Sequence, residues 1–257
     1  MSGISILRQG KTLCAQSGEG RVELRYEGEY LPGDVIEFES DFEYAILSVD
    51  QTILPARVYL PQKRYVYPLP LDGDNPLVYV PGAFRQSPHI LSIREDTGRV
   101  YRNLALNPAD SRAETLGFPH ITANVETRNE SVFAARNVID GLCTANGHGI
   151  WPYESWGIGA RTDAQITLEF GRAVRVDSMA LHLRADFPHD AWWIQGTVVL
   201  SDGFEKTFPL QKLEGPQKIE LGEHTVTWMR LERLIKCDMP SAFPSLRQWE
   251  VYGSEIE

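Results

Sequence analysis

The chain has 257 residues, a formal net charge of −10 at pH 7, and 42% hydrophobic residues including ten tyrosines, ten phenylalanines and six tryptophans. That length exceeds one ordinary domain and supplies apolar material for two cores. The acidic balance, with no Lys/Arg-rich tract to offset it, repels a phosphate backbone and argues against nucleic acid as a partner.

The opening Met1-Ser2-Gly3-Ile4-Ser5-Ile6-Leu7 turns polar at Arg8 before an apolar export segment forms. No later run is apolar for membrane-spanning length. The expectation is a soluble protein without a membrane span, cytoplasmic as the sequence stands, and secreted if an export segment had been removed from it. Cys14, Cys143 and Cys237 lack CxxC spacing, and an odd count does not complete a disulfide framework. They read as buried or inert thiols, with a Cys143–Cys237 bridge as the alternative.

Residues 1–102 are punctuated by Gly and Pro and carry short alternating runs. Arg21–Tyr26 and Val35–Glu39 flank a Leu31-Pro32-Gly33-Asp34 turn. Tyr44–Val49, Ala56–Leu60, Leu77–Val80 and His89–Arg94 follow as strand candidates. Strands at this spacing need a second sheet to cover their apolar faces, which predicts an accessory β-sandwich domain. The polar, turn-rich segment from Asp96 to Asn103 sets the predicted boundary near residue 102.

Beyond it, Ser131–Ile139 is a short helical candidate ending at Asp140-Gly141. Gln165–Phe170 and Met179–Arg184 alternate as strands, and Thr197–Leu200 with Glu205–Phe208 reads as a hairpin turning at Asp202-Gly203. The fold class is all-β: two tandem β-sandwich domains, 1–102 and 103–257.

Three motifs in order carry a family resemblance. Asn103-Leu104-Ala105-Leu106-Asn107-Pro108 leads to Ala135-Arg136-Asn137-Val138-Ile139-Asp140-Gly141, with Trp151 and Trp156 downstream. Ile166–Gly171 and Val176–Leu181 form a central strand pair, and Trp249-Glu250-Val251-Tyr252-Gly253 closes the pattern. Over residues 103–253 this resembles the discoidin, or coagulation-factor type C, family of galactose-binding-like jelly rolls, nearest to family 32 carbohydrate-binding modules. The resemblance implies a discoidin-like jelly roll that binds a glycan. It also implies a structural Ca²⁺ held by Asp140, Asn146 and Glu250, with Thr144 as a further oxygen donor. The absence of cysteines flanking Asn103 and Gly253 points to a bacterial-type module in a reducing compartment. Members of the family bind glycans, lipid headgroups or proteins, so the fold names no ligand.

Three loops concentrate the groups that recognise sugars, where an aromatic face packs on pyranose C–H bonds and polar tips bond the hydroxyls. The segment 146–157 contributes His148, Trp151 and Tyr153, while Trp156 reads as core. The segment 184–193 contributes Arg184, Asp186, His189 and Trp192. A salt-bridged loop pairing Arg184 with Asp186 or Asp190 is its plain alternative. In 236–245 Phe243 matches the position of a ligand-contacting aromatic in the resembling family, or else plugs the loop. No nucleophile elbow, HxH or HExxH pattern occurs, so no catalytic residue is assigned.

The leading expectation is therefore a non-catalytic carbohydrate-binding protein with a glycan or oligosaccharide as partner. Two alternatives stand beside it. One is an intracellular carbohydrate-active enzyme or enzyme subunit using carboxylates of residues 184–190. The other is a protein-interaction or homo-oligomer-forming module using Trp151, Trp192 and Trp193.

Overall fold

Alternation of apolar and polar residues builds almost every element. A computed structural model of the chain describes residues 1–113, 115–147, 149–185 and 191–256. Eight strands come from the N-terminal part: β1 (Ser2–Arg8), β2 (Lys11–Gly18), β3 (Val22–Tyr26), β4 (Val35–Glu39), β5 (Tyr44–Ser48), β6 (Ala56–Tyr59), β7 (Arg64–Pro68) and β8 (His89–Glu95). They form two antiparallel four-stranded sheets, ordered β2-β1-β4-β7 and β3-β8-β5-β6. Ile4, Ile6, Ile36, Phe38 and Tyr67 from the first sheet meet Leu24, Leu47, Val58, Leu91 and Ile93 from the second in one buried cluster. This is the two-sheet arrangement that the strand spacing predicts.

The predicted strand at 77–80 is not one. Asn75–Val78 forms a 3₁₀ turn instead. Pro76 lacks the N–H a ladder needs and fixes φ, which suits a turn start.

The remaining strands are β9 (Arg102–Asn103), β10 (His120–Ala123), β11 (Trp156–Gly157), β12 (Ile166–Arg184), β13 (Trp193–Leu200), β14 (Glu205–Pro209), β15 (Gln217–Lys236) and β16 (Ser245–Glu255). They join in the order β11-β16-β12-β15-β13-β14, with β10 beside β12 and β9 beside β16. Two runs expected as separate strands merge into the 19 residues of β12. Its ladder slips between Glu169 and Val174, where Gly171 takes a φ of +68°. An ideal Cβ on Gly171 would lie 2.2 Å from the Phe118 ring, so only glycine admits that ring against the bulge. The helical candidate at 131–139 becomes two 3₁₀ turns, Ser131–Phe133 and Ala135–Ile139. Among the described residues no helix is long and apolar enough to cross a membrane. The three cysteines are free, so the alternative Cys143–Cys237 bridge does not form.

A second buried cluster, with Trp156, Phe170, Leu181, Trp193, Met229 and Trp249 among its members, fills the inside of these strands. The two cores touch through the chain between 107 and 133. Tyr59 and Phe118 exchange both backbone hydrogen bonds, Tyr65 donates its hydroxyl to the Ala109 carbonyl at 2.7 Å, and Val132 joins the N-terminal core. Arg172, from the β12 bulge, reaches the same contact. Its guanidinium lies 5.4 and 5.2 Å from the ring centres of Tyr44 and Tyr59. The same group donates to Glu255 at 2.7 Å, and Arg102 approaches that carboxylate at 2.9 Å.

Glu255 therefore ties β9, β12 and β16 through a carboxylate whose side chain is only 2% exposed. Burial opposes its charge, but Arg172 and Arg102 outweigh it and hold the carboxyl below the usual range. Because the folded pKa is depressed, the stabilisation is complete above the ordinary carboxylate pKa and fades as pH falls through the folded value. Glu255→Gln should cost about 2–4 kcal/mol at pH 7, measured by urea unfolding, and the gap to the wild type should close below about pH 4.

Candidate functional site

Strand register collects the three predicted loops at one end of the C-terminal sandwich. Arg184 ends β12 opposite Ser245, Trp156 pairs with Leu246, and Trp193 begins β13 opposite Lys236. The segments 141–155, 185–192 and 237–244 therefore spring from neighbouring strand ends. Of the residues assigned to ligand, His148, Asp186 and His189 lie outside the described residues.

Buried charge organises this end. Arg184 is 2% exposed and donates to the Gly147 carbonyl at 2.6 Å and to the Tyr153 carbonyl. Two of its donors are thus spent on the loop backbone, a positioning role beside the direct sugar contact expected of it. Arg247, 1% exposed at a bulge in β16, donates to the Thr144 carbonyl at 3.2 Å, the Glu154 carbonyl at 2.7 Å and the Glu154 carboxylate at 3.1 Å. Glu154 in turn accepts the Tyr153 amide at 2.8 Å.

Trp151 and Tyr153 turn toward the N-terminal sandwich. Tyr153 packs on its core, and Trp151 lines a cavity with Ile53, Leu54, Tyr79 and Arg136. That cavity, of about 100 Å³, lies between the loop and the N-terminal core. Both rings thus sit at the contact between the cores, which corrects their placement in an open sugar pocket. Trp192 is partly buried against the C-terminal core, with the Lys212 ammonium 5.6 Å from its ring centre. Its backbone and Cys237 exchange a carbonyl bond at 2.9 Å and an amide-to-Sγ contact at 3.4 Å. Trp156 is fully buried and donates its indole N–H to the Val125 carbonyl at 2.8 Å, the core role read from the sequence. Phe243 is exposed.

Beside Phe243 runs a larger groove of about 590 Å³. Trp193, Gln195 and Thr197 of β13, Thr207 of β14 and Arg233, Leu234, Ile235 and Lys236 of β15 form its floor and side. Ala160, Arg161, Thr162, Ala242 and Pro244 complete its lining. The Trp193 ring is 1% exposed and stands 6.1 Å from Trp156, yet its Nε1 donor has no partner. Thr197 and Thr207 share a hydroxyl bond at 2.9 Å. Cationic tips on the rim are held in place: Arg161 on Asp163 at 2.8 Å, and Arg233 on Glu205 at 2.6 Å.

Apart from Trp193, named for the alternative interaction surface, these groove residues were not selected from sequence. A signal existed in Trp193 followed by Gln195 and Thr197, polar residues on alternate positions of a strand. The bulges in the pairing of β13 with β15 at 193–195 and 195–197 hide which face those positions take.

The calcium assignment does not fit. Asp140 spends Oδ1 on the Leu142 amide at 2.8 Å, and its Oδ2 faces the Arg247 guanidinium at 3.9 Å. A cation beside Arg247 would be repelled where a calcium site needs converging anionic oxygens. Glu250 is bonded to His182 at 2.9 Å, and Asn146 is exposed. The cluster of potential metal donors among the described residues is instead Cys143, His182 and Glu250.

No family model matches the chain, and no curated protein matches it. Its structure is similar to chitosan-binding module 1 of a chitosanase/glucanase from Paenibacillus sp. IK-5, at 18% identity and a TM-score of 0.41, over 59% of this chain and 98% of that one. It is also similar to the family 32 carbohydrate-binding module of NanJ from C. perfringens in complex with galactose, at 13% identity and a TM-score of 0.41, over 60% and 99% of the two chains. A third is CpGH89CBM32-5 from Clostridium perfringens in complex with GalNAc-beta-1,3-galactose, at 14% identity and a TM-score of 0.40, over 51% and 92%.

Burial pushes the Asp140 carboxyl up to about 7, with Glu154 adding to the rise and Arg247 opposing it. A folded pKa above the unfolded one means the native state holds the extra proton between about pH 4 and 7, so stability falls as pH rises through that window. Asp140→Asn mimics the protonated form and keeps an acceptor for Leu142. Between pH 5 and 8 its stability advantage over the wild type should grow by about 3 kcal/mol in urea unfolding, near 1.4 kcal/mol per unit of pH up to the folded pKa.

Proposed function

We propose that the chain is a carbohydrate-binding protein that takes a saccharide into the groove beneath Pro244 and Arg161, with Trp193 at its base. The observation that carries this reading is the mixed lining of that groove of about 590 Å³. The neighbouring surface has the composition sugars require: apolar patches from Ile158, Leu234 and Pro244, and hydrogen-bonding tips from Gln195, Thr197 and Thr207. The exposed Phe243 at the mouth offers a face to a second sugar unit.

The described lining of the groove carries no carboxylate, imidazole or thiol. Glycoside hydrolysis needs two carboxyl groups on either side of the scissile bond, so this lining supports binding without turnover. The alternative enzyme reading places its carboxylates at 184–190, where Asp186 and Asp190 lie outside the described residues.

Calorimetric titration of the intact chain with a panel of chito-, galacto- and uronic-acid oligosaccharides tests the proposal. At least one should bind in the millimolar to micromolar range, roughly −4 to −8 kcal/mol. Gln195→Ala and Arg233→Ala should each weaken that binding about 5- to 20-fold, the worth of one polar contact. Unchanged affinity in both variants would move the site elsewhere, and no binding across the panel would overturn the function.

A further inference from the structure

On the opposite face of the β12–β16 pair from the apolar core, three side chains of metal-ligating type converge outside the groove. His182 on β12 and Glu250 on β16 are joined by an Nε2 to Oε2 contact of 2.9 Å. The loop residue Cys143 brings its thiol to them, so that one donor atom from each of the three lies within 4.8 Å of the other two. Bond lengths of ~2.0 Å to nitrogen and oxygen and ~2.3 Å to sulfur place tetrahedral ligand atoms about 3.3–3.8 Å apart. The His182–Glu250 separation of 2.9 Å lies just below that range and the separations from Cys143 are no more than 4.8 Å, so side-chain adjustment on the ångström scale admits an ion between them.

Gln248 adds an independent observation. It is fully buried, both of its amide atoms lack a partner, and it sits directly opposite His182 in the ladder. Cross-strand partners share a face, which puts an uncommitted amide beside the cluster. Its carbonyl suits a fourth ligand or an acceptor for a metal-bound water.

We propose that Cys143, His182 and Glu250 form a site for a divalent transition-metal ion of the zinc type, supported by Gln248, which staples the 141–147 loop to the sheet. The donor set chooses the ion. A thiolate with an imidazole favours zinc-type ions over calcium or magnesium, which prefer all-oxygen shells. Binding forms Sγ–metal, Nε2–metal and Oε2–metal bonds, releases the thiol proton to solvent, and replaces the His182–Glu250 hydrogen bond, the Nε2 proton leaving to solvent as the neutral ring takes its remaining proton on Nδ1. The two anionic ligands neutralise the dication, so a half-buried ion leaves little net charge to desolvate. The site is separate from the proposed saccharide groove, none of whose lining residues it shares.

Cobalt(II) titration of the intact chain tests this, because a Co–thiolate bond gives a near-ultraviolet charge-transfer band that other ligands do not. One cobalt per chain should bind with that band, and zinc should displace it. Cys143→Ser should abolish the band. His182→Gln, which retains an amide donor toward Glu250, should weaken zinc on the order of 100-fold, the upper end of what losing even an outer-shell partner costs. A readout on the unaltered chain guards against a variant that fails to fold. Zinc should slow alkylation of Cys143, followed by peptide mass spectrometry, and leave Cys14 unaffected. A charge-transfer band that is missing or that survives Cys143→Ser, or an alkylation rate of Cys143 that zinc does not change, would overturn the site.

Discussion

A buried guanidinium has five donors that cannot turn to water, so the backbone around it must supply acceptors. Arg247 imposes that constraint on the loop end of the C-terminal sandwich. It is held by the Thr144 carbonyl and by both the carbonyl and carboxylate of Glu154. Arg184 repeats the arrangement on the Gly147 and Tyr153 carbonyls. Four carbonyls between 144 and 154 are thereby fixed by two side chains projecting from β12 and β16. Replacing either arginine with a shorter side chain would leave loop carbonyls unpaired in a dry site, and at Arg247 would also strip the Glu154 carboxylate of its cation, where each loss is felt in full. A segment read from sequence as a ligand-contacting loop is thus held to the sheet through its own backbone carbonyls.

That fixation divides the loop end into two working faces. Tyr153 and Trp151 lean on the N-terminal sandwich, so the loop serves as part of the contact between the two cores. The opposite side of the strand ends is left for the groove, whose base is Trp193 against Trp156. Arg172 does at the other end of β12 what Arg247 does at the loops. It binds Glu255 within its own sandwich and spreads over Tyr44 and Tyr59 of the other. Two long strands therefore carry the positioning charges for both ends.

Strands with an unbroken period were legible in sequence. Val35–Glu39, Tyr44–Ser48, Ala56–Tyr59 and the β13–β14 hairpin fall where alternation places them. The failures share a physical cause. In β15 the buried residues are Ile219, Leu221, Val226, Met229, Leu231 and Leu234, whose spacing jumps from two to five to three wherever the ladder slips. A period-2 reading dissolves at each bulge. β7 was passed over because Tyr65 and Tyr67 are the only buried members of a five-residue run that ends in proline. Leu77–Val80 shows the reverse error, an apolar run whose backbone Pro76 commits to a turn. The candidate site was legible as a place, since the three loops do share one end. It was not legible as a set of residues, because composition cannot tell an arginine that grips a ligand from one that grips its own loop. Arg184 is charged, loop-adjacent and flanked by aromatics, and only its 2% exposure separates the two roles.

The same reasoning explains why the acidic residues of this end divide into distinct environments. Asp140 lies beneath the loop with a guanidinium 3.9 Å from one oxygen and no hydrogen-bond partner on that atom. Its charge is costly there, and its carboxyl rises accordingly. Glu154 has the same burial but full pairing with Arg247 and the Tyr153 amide, so its charge is compensated in place. Glu250, its side chain 19% exposed, stands on the outer face of the sheet beside an imidazole. Burial, pairing and exposure thus sort three carboxylates within one loop end. Glu250, His182 and Cys143 converge on one another, whereas one Asp140 oxygen faces the Arg247 guanidinium at 3.9 Å. The geometry that defeats an all-oxygen site around Asp140 is also what leaves the outer cluster as the place for a softer ion.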